Sequence, residues 1–294
     1  MSEKSRKRYG RYGTPQQYLR VIFAALLLGI LMSFLFSFFA NSEKSQKEFA
    51  ITSLGAQGAP VTLQVSGDLP KKDGIYTLKL GQGAQIMEGG QLLYTVSSFT
   101  YSPGRVLTDN QLTKLSATSA NRSELGELAD VMIGRRIGSR LAYVKPVPEQ
   151  NSAEIVVVDL LPTRLYGEHI QASGWPGNPV ISNSPDLIPQ VVMRGEPPRE
   201  VKTHSLIAGQ GNQIAQGDSV YANYLLVDFS GNVLENTYTA AAPAVIDTDQ
   251  IFSGMQQGLI DQRIGSRLLI GIPAALAHGD RDLLAIVDLL AKVE

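Results

Sequence analysis

The sequence predicts an α+β protein: an N-terminal transmembrane helix, then two domains that each fold a curved antiparallel sheet around one short helix. The prediction rests on a twenty-residue uncharged run near the N-terminus, an internal duplication, and strand-type segments that flank a single short helical pattern in the second copy.

Lys4, Arg6, Lys7, Arg8, Arg11 and Arg20 precede the run VIFAALLLGILMSFLFSFFA, residues 21–40. Twenty residues at about 1.5 Å rise match a hydrocarbon core of roughly 30 Å. A basic flank stays in the cytoplasm, so residues 1–20 read as a cytoplasmic tail and 21–40 as a single-pass anchor. The remainder is then extracytoplasmic, at the outer face of the cell membrane. The competing reading is a cleaved signal peptide ending near Ala40-Asn41-Ser42. Residues 41–55, polar and charged at first, read as a tether.

Three blocks then recur in order. LKLGQGAQI (78–86) returns as LIAGQGNQI (206–214), RIGSR (136–140) as RIGSR (263–267), and IVVVDLL (155–161) as LAIVDLL (284–290). The offsets of 127–129 residues are nearly constant and too long for solenoid repeats, so they mark a duplicated domain. The first copy spans 56–165 and the second 200–294. Between them, 166–199 reads as a proline-rich linker, because seven of the fifteen prolines lie between Pro162 and Pro198. Proline holds itself and the preceding residue extended. Trp175 within this stretch is expected to pin the linker onto a domain surface.

In the second copy, Ser219–Asp228 is rich in aromatic and branched residues and reads as a strand. Ser230-Gly231-Asn232 is a turn signal. Ile251, Phe252, Met255, Leu259 and Ile260 share one face of a short helix over 250–260, which Gly258 weakens. Ser266–Ile272 and Leu283–Val293 read as strands. Within the RIGSR blocks, glycine reads as a turn residue and arginine as a side chain on an exposed strand edge.

Composition excludes several classes. A formal net charge of −1 offers no basic surface for nucleic acid, which is not expected as a partner. The absence of cysteine removes disulfides, thiol catalysis and zinc–thiolate sites. The Gly-Gln-Gly segments lack the third glycine of a dinucleotide loop, having Ile86 and Ile214 there. No metal role is expected for His278, which is far in sequence from His169 and His204.

Over residues 200–294 the second copy resembles the FKBP family of peptidyl-prolyl isomerases. The resemblance is carried by Val220-Tyr221-Ala222-Asn223-Tyr224, by Gly231 to Thr237, and by Ile251 to Leu259 followed by Gly265-Ser266-Arg267. Ile272-Pro273 and Ala277-His278-Gly279 complete it. The first copy resembles the family mainly through the second: Val96, Thr108 and Glu127 stand where Tyr224, Glu235 and Gly254 stand. It reads as an FKBP-like domain without a site. The anchor plus two such domains resembles actinobacterial members of the family.

The resemblance implies isomerisation about X-Pro bonds, with no cofactor. It places Tyr224, Glu235, Phe252 and His278 in catalysis and Leu234, Ile251 and Met255 around the substrate. Glu235 takes the family's acidic position, the Phe252 N–H would bind a substrate carbonyl, and His278 replaces a tyrosine. Met255 stands for a floor tryptophan and Leu234 for a phenylalanine; Ala244 and Ala285 fill two further phenylalanine positions. These exchanges predict a wider pocket. Two functions remain open. One is an isomerase that folds proline-containing unfolded or exported polypeptides; the other is an inactive FKBP-like chaperone or binding module for envelope proteins.

Overall fold

The duplicated blocks fold into two antiparallel sheets with the same strand order. The computed structural model describes residues 47–105, 107–167, 170, 175, 179–277, 279 and 281–293. The first body opens with a hairpin of β1 (Ala50–Leu54) and β2 (Thr62–Ser66). Next come β3 (Gly74–Lys79), β4 (Gln91–Tyr101) and β5 (Thr108–Ser119). The short helices α1 (Arg122–Leu125) and α2 (Leu128–Met132) precede β6 (Arg140–Val147) and β7 (Ser152–Leu161). The sheet order is β3-β6-β7-β4-β5.

A second hairpin, β8 (Val180–Asn183) with β9 (Pro189–Val192), forms within the stretch read as an extended linker. The second body holds β10 (Lys202–Ile207), β11 (Ser219–Asp228), β12 (Val233–Asn236) and β13 (Ala244–Asp247). It continues with α3 (Ser253–Leu259), β14 (Arg267–Ile272) and β15 (Leu283–Lys292). Its order, β10-β14-β15-β11-β12, repeats the first, with β13 also paired to β11.

The fold class is corrected on two points. The helices span only 4, 5 and 7 residues, so the described chain is predominantly β. A sheet face needs only a small apolar cover, and such short helices supply it without forming a layer. The expected transmembrane helix over 21–40, with the membrane as its partner, lies outside the described residues. Among the described residues no helix is long and apolar enough to cross a membrane, and the transmembrane helix is withdrawn from the fold class.

Strand alternation gives each sheet two apolar faces. In the second body Val220, Ala222 and Leu226 face α3, which contributes Met255 and Leu259 to the same core. Leu225, Val227, Leu269 and Ile286 face the opposite way, under Trp175, Ile181, Ile188 and Val191. In the first body, the face away from the helices is likewise covered by the preceding segment, through Phe49, Ile51, Leu63 and Val65. Trp175 docks on the sheet as its sequence context predicts. It is 8% exposed, and a Cβ added at Gly271 would lie 2.4 Å from its Cη2.

The repeated sequence blocks interlock. Gly81 N donates to Ser139 Oγ at 3.0 Å, and Gly209 N to Ser266 Oγ at 2.9 Å. A Cβ at either glycine would lie 2.4 Å from the carbonyl oxygen of Ile137 or Ile264, so only glycine permits the approach. The last arginine of each block is not on an exposed edge. Arg140 pairs with Asp159 at 2.6 and 2.7 Å, and Arg267 with Asp288 at 2.5 and 2.7 Å. Both pairs are buried, and each clasps the segment ahead of its body. Arg140 donates to Gly55 O and Ala56 O; Arg267 donates to Leu165 O, Leu187 O and Asn183 Oδ1. Burial makes these charges dependent on one another, because an unpaired charge in a dry interior is costly.

Candidate functional site

The groove of the second body opens where the sheet edge breaks. In the first body β5 runs beside β4 for twelve residues. In the second, the corresponding edge is split into β12 and β13 by a 3-10 turn at Thr237–Thr239. Asn236 caps that turn by accepting from Tyr238 N at 3.1 Å. The break exposes Tyr224 on β11 beside Glu235 on β12, whose strand pairs Leu226 with Glu235.

A groove of about 820 Å3 lies there. Tyr224, Leu234, Glu235, Ile251 and Phe252, all singled out from sequence, line it together. Met255 does not: it is 3% exposed and packs in the core beneath. His278 lies outside the described residues. Leu226, Gln250, Ala277, Arg281 and Leu283 line the groove without having been singled out. Strand alternation from Tyr224 points to Leu226, and Gln250 directly precedes Ile251; Ala277, Arg281 and Leu283 arrive from a separate segment.

The Tyr224 hydroxyl donates to Glu235 Oε1 at 2.5 Å. Partial burial, then this hydrogen bond and the carboxylate's charge, hold the hydroxyl well above the ordinary tyrosine range. It therefore stays protonated and serves as a donor, not a base. Arg281 lies 3.9 Å from Asp228 and is half exposed at the groove's rim. Val233 and Leu234 add exposed apolar surface at 60% and 42%. Phe252 precedes α3 in extended geometry (φ −64°, ψ 147°), and the chain turns there from β13 into the helix. α3 lies close over β14 because Gly254 and Gly258 face it; a Cβ there would meet Ile272 at 2.3 Å or Ile270 at 2.4 Å.

The lining suits binding of an extended, largely apolar segment with one polar anchor. Among the described residues no group of His, Asp and Glu is arranged to hold a metal ion. In the first body, register places Gln111 opposite Ser98 and pairs Thr108 with Thr100. Thr108 is thus not opposite the residue that corresponds to Leu226.

The family model for FKBP-type peptidyl-prolyl cis-trans isomerases matches residues 210–287. An FK506-binding protein of Streptomyces anulatus is 32% identical over 90 residues, which cover 30% of this chain and 73% of that protein. A probable FK506-binding protein of Corynebacterium glutamicum is 25% identical over 107 residues, 33% of this chain and 91% of that protein. Among solved structures, Escherichia coli FkpA is similar at a TM-score of 0.30 and 22% identity; the match covers 38% of this chain and 51% of FkpA. That overlay is too loose to add to the sequence matches.

Proposed function

We propose, for a chain that belongs to the FKBP-type peptidyl-prolyl cis-trans isomerase family, that the groove of the second body catalyses isomerisation of X-Pro bonds in unfolded, exported polypeptides. The observation that carries this reading is the groove itself: Tyr224, Glu235, Ile251 and Phe252 converge on one open, apolar-walled site within the matched residues.

Isomerisation breaks no covalent bond. The barrier of about 18–20 kcal/mol comes from losing amide resonance as the C–N bond twists. A catalyst must bind the twisted amide better than either planar form. Ile251, Phe252, Leu234 and Leu283 exclude water from the prolyl ring and favour the less polar twisted state. Tyr224 and Glu235 form the polar edge that orients the chain. Their mutual hydrogen bond holds both side chains in place before substrate arrives, which limits reorganisation in the transition state.

The test is exchange between cis and trans resonances of a Leu-Pro peptide in the presence of the chain. Exchange well above the uncatalysed rate, lost in Tyr224→Ala, is the expected result. Absence of exchange in a folded protein removes the isomerase reading. A second reading, binding without turnover, is favoured by one feature: Met255 lies below the groove instead of lining it, and the lining Leu234 is 42% exposed. Saturable chemical-shift changes without exchange would establish it.

Exported clients and action outside the cytoplasm are supported by the order of six basic residues before the uncharged stretch 21–40, a pattern read by export machinery. Protease added to intact cells should then degrade the second body without lysis. Protection until lysis overturns the location.

A further inference from the structure

Gln91 opens β4 of the first body, yet its side-chain amide reaches into the second. Nε2 donates to Thr237 O at 2.7 Å and Ala240 O at 3.0 Å, while Oε1 accepts from Asn223 Nδ2 at 2.7 Å. Both amide protons and the carbonyl are thereby used. The partners also fix the amide's orientation, since the flipped form would set its oxygen against two carbonyls.

Asn223 is fully buried and immediately precedes Tyr224. Its Nδ2 also donates to Thr163 O at 2.8 Å, and its Oδ1 accepts from Thr237 Oγ1 at 3.1 Å. The same Thr237 hydroxyl accepts from Tyr224 N at 2.7 Å. Thr237 follows Glu235 by two residues and begins the turn that breaks the sheet edge. Tyr224 and Glu235, which meet at one edge of the groove, are therefore both tied through the backbone to groups that Gln91 holds. The first body contacts the second behind its site, at the turn that opens the groove.

We propose that the first body braces this groove and that Gln91 is a positioning residue for the Tyr224–Glu235 pair; the proposal rests on the isomerase reading above. The brace explains what a body without the Tyr–Glu pair contributes: it fixes the edge break from which the groove is made.

The test uses the full chain with Gln91→Met, which keeps length and apolar stem but removes donors and acceptor. Exchange of the Leu-Pro peptide is measured with kcat and KM separated, together with ring resonances of labelled tyrosine, Tyr224 being assigned from Tyr224→Phe. The expected result is kcat lower by about fivefold, the size of one lost hydrogen bond, with KM little changed and the Tyr224 ring resonance shifted. Adding Thr237→Val to Gln91→Met should cost less than the two single losses combined, because both cut one network. Should Gln91→Met fold poorly, Gln91→Asn, one methylene short of its partners, is read in the same way. Unchanged kcat with an unshifted Tyr224 resonance, additive losses, or a lower melting temperature alone would each overturn the brace. If the parent chain catalyses no exchange, the isomerase reading fails, and the Tyr224 resonance in Gln91→Met still decides the coupling.

Discussion

Asp228 ends β11 and organises the turn beside the groove. Its Oδ1 accepts from Ser230 N and Asn232 N, each at 2.9 Å, and its Oδ2 from Asn232 Nδ2 at 2.8 Å. Hydrogen bonds from the Asn232 side chain and backbone, then Ser230 and the charge of Arg281, hold this carboxyl below the usual aspartate range. A depressed folded-state value means that the contribution is complete above the unfolded pKa of about 3.9 and lost as pH falls through the folded value. Melting temperature should therefore drop more steeply below about pH 4 in the parent chain than in Asp228→Asn, which cannot titrate. Parallel melting curves from pH 7 to pH 3 would show that the turn does not depend on the charge. Tyr224 titrates in the opposite sense: its raised value keeps the hydroxyl neutral throughout this range.

At the scale of elements, the two glycines of α3 set how closely the helix lies on β14. Gly258 faces Ile270, and Thr203 Oγ1 donates to its carbonyl at 3.1 Å. Neither glycine has a positive φ, so the requirement is one of space. Gly258→Ala forces a methyl group into Ile270, and overpacking of this kind costs about 1–3 kcal/mol. The helix should move outward and carry Ile251 and Phe252 with it, lowering both the melting temperature and the exchange rate. A stable, fully active Gly258→Ala chain would mean that the contact relaxes without touching the groove. The first body manages without such glycines because its cover is two shorter helices, with Ala129 and Met132 turned to the sheet.

For the whole molecule, the recurring device is a strap: each body is covered on its second face by the segment that precedes it. In the second body the described residues of this strap include Leu165, which Arg267 holds, Trp175, which lies over Gly271, and Ile181, Ile188, Val191 and Met193, which pack on the same face. Gly271→Ala sets a methyl group against Trp175 and Pro198 Cγ, the latter at 2.7 Å. The indole should lift into water. Since the chain has one tryptophan, its emission reports the strap directly. A red shift in Gly271→Ala, with melting lowered by about 1–3 kcal/mol of stability, is expected. Unchanged emission would place the anchoring elsewhere along the hairpin.

The sequence by itself determined the duplication, three of the six strands of the second body, the turn at Ser230–Asn232 and five of the groove's lining residues. These are local or periodic signals: alternation, turn chemistry, and motif order at nearly constant offset. Only the tertiary structure decided what the repeated blocks do. In sequence the Gly-Gln-Gly segments are excluded as nucleotide loops but keep no other role until Ser139 and Ser266 are seen beside them, 58 and 57 residues further along the chain. Arg267 reads as a surface charge until Asp288, 21 residues later, buries it. Met255 falls on the expected apolar face, but the close seat of α3 on β14 places it in the core instead of the groove. Gln91 carries no signal at all, since its partners lie 132–149 residues away. Periodicity encodes which way a side chain faces; which distant surface it meets is set by chain closure, and that is visible only once the sheets and straps are assembled.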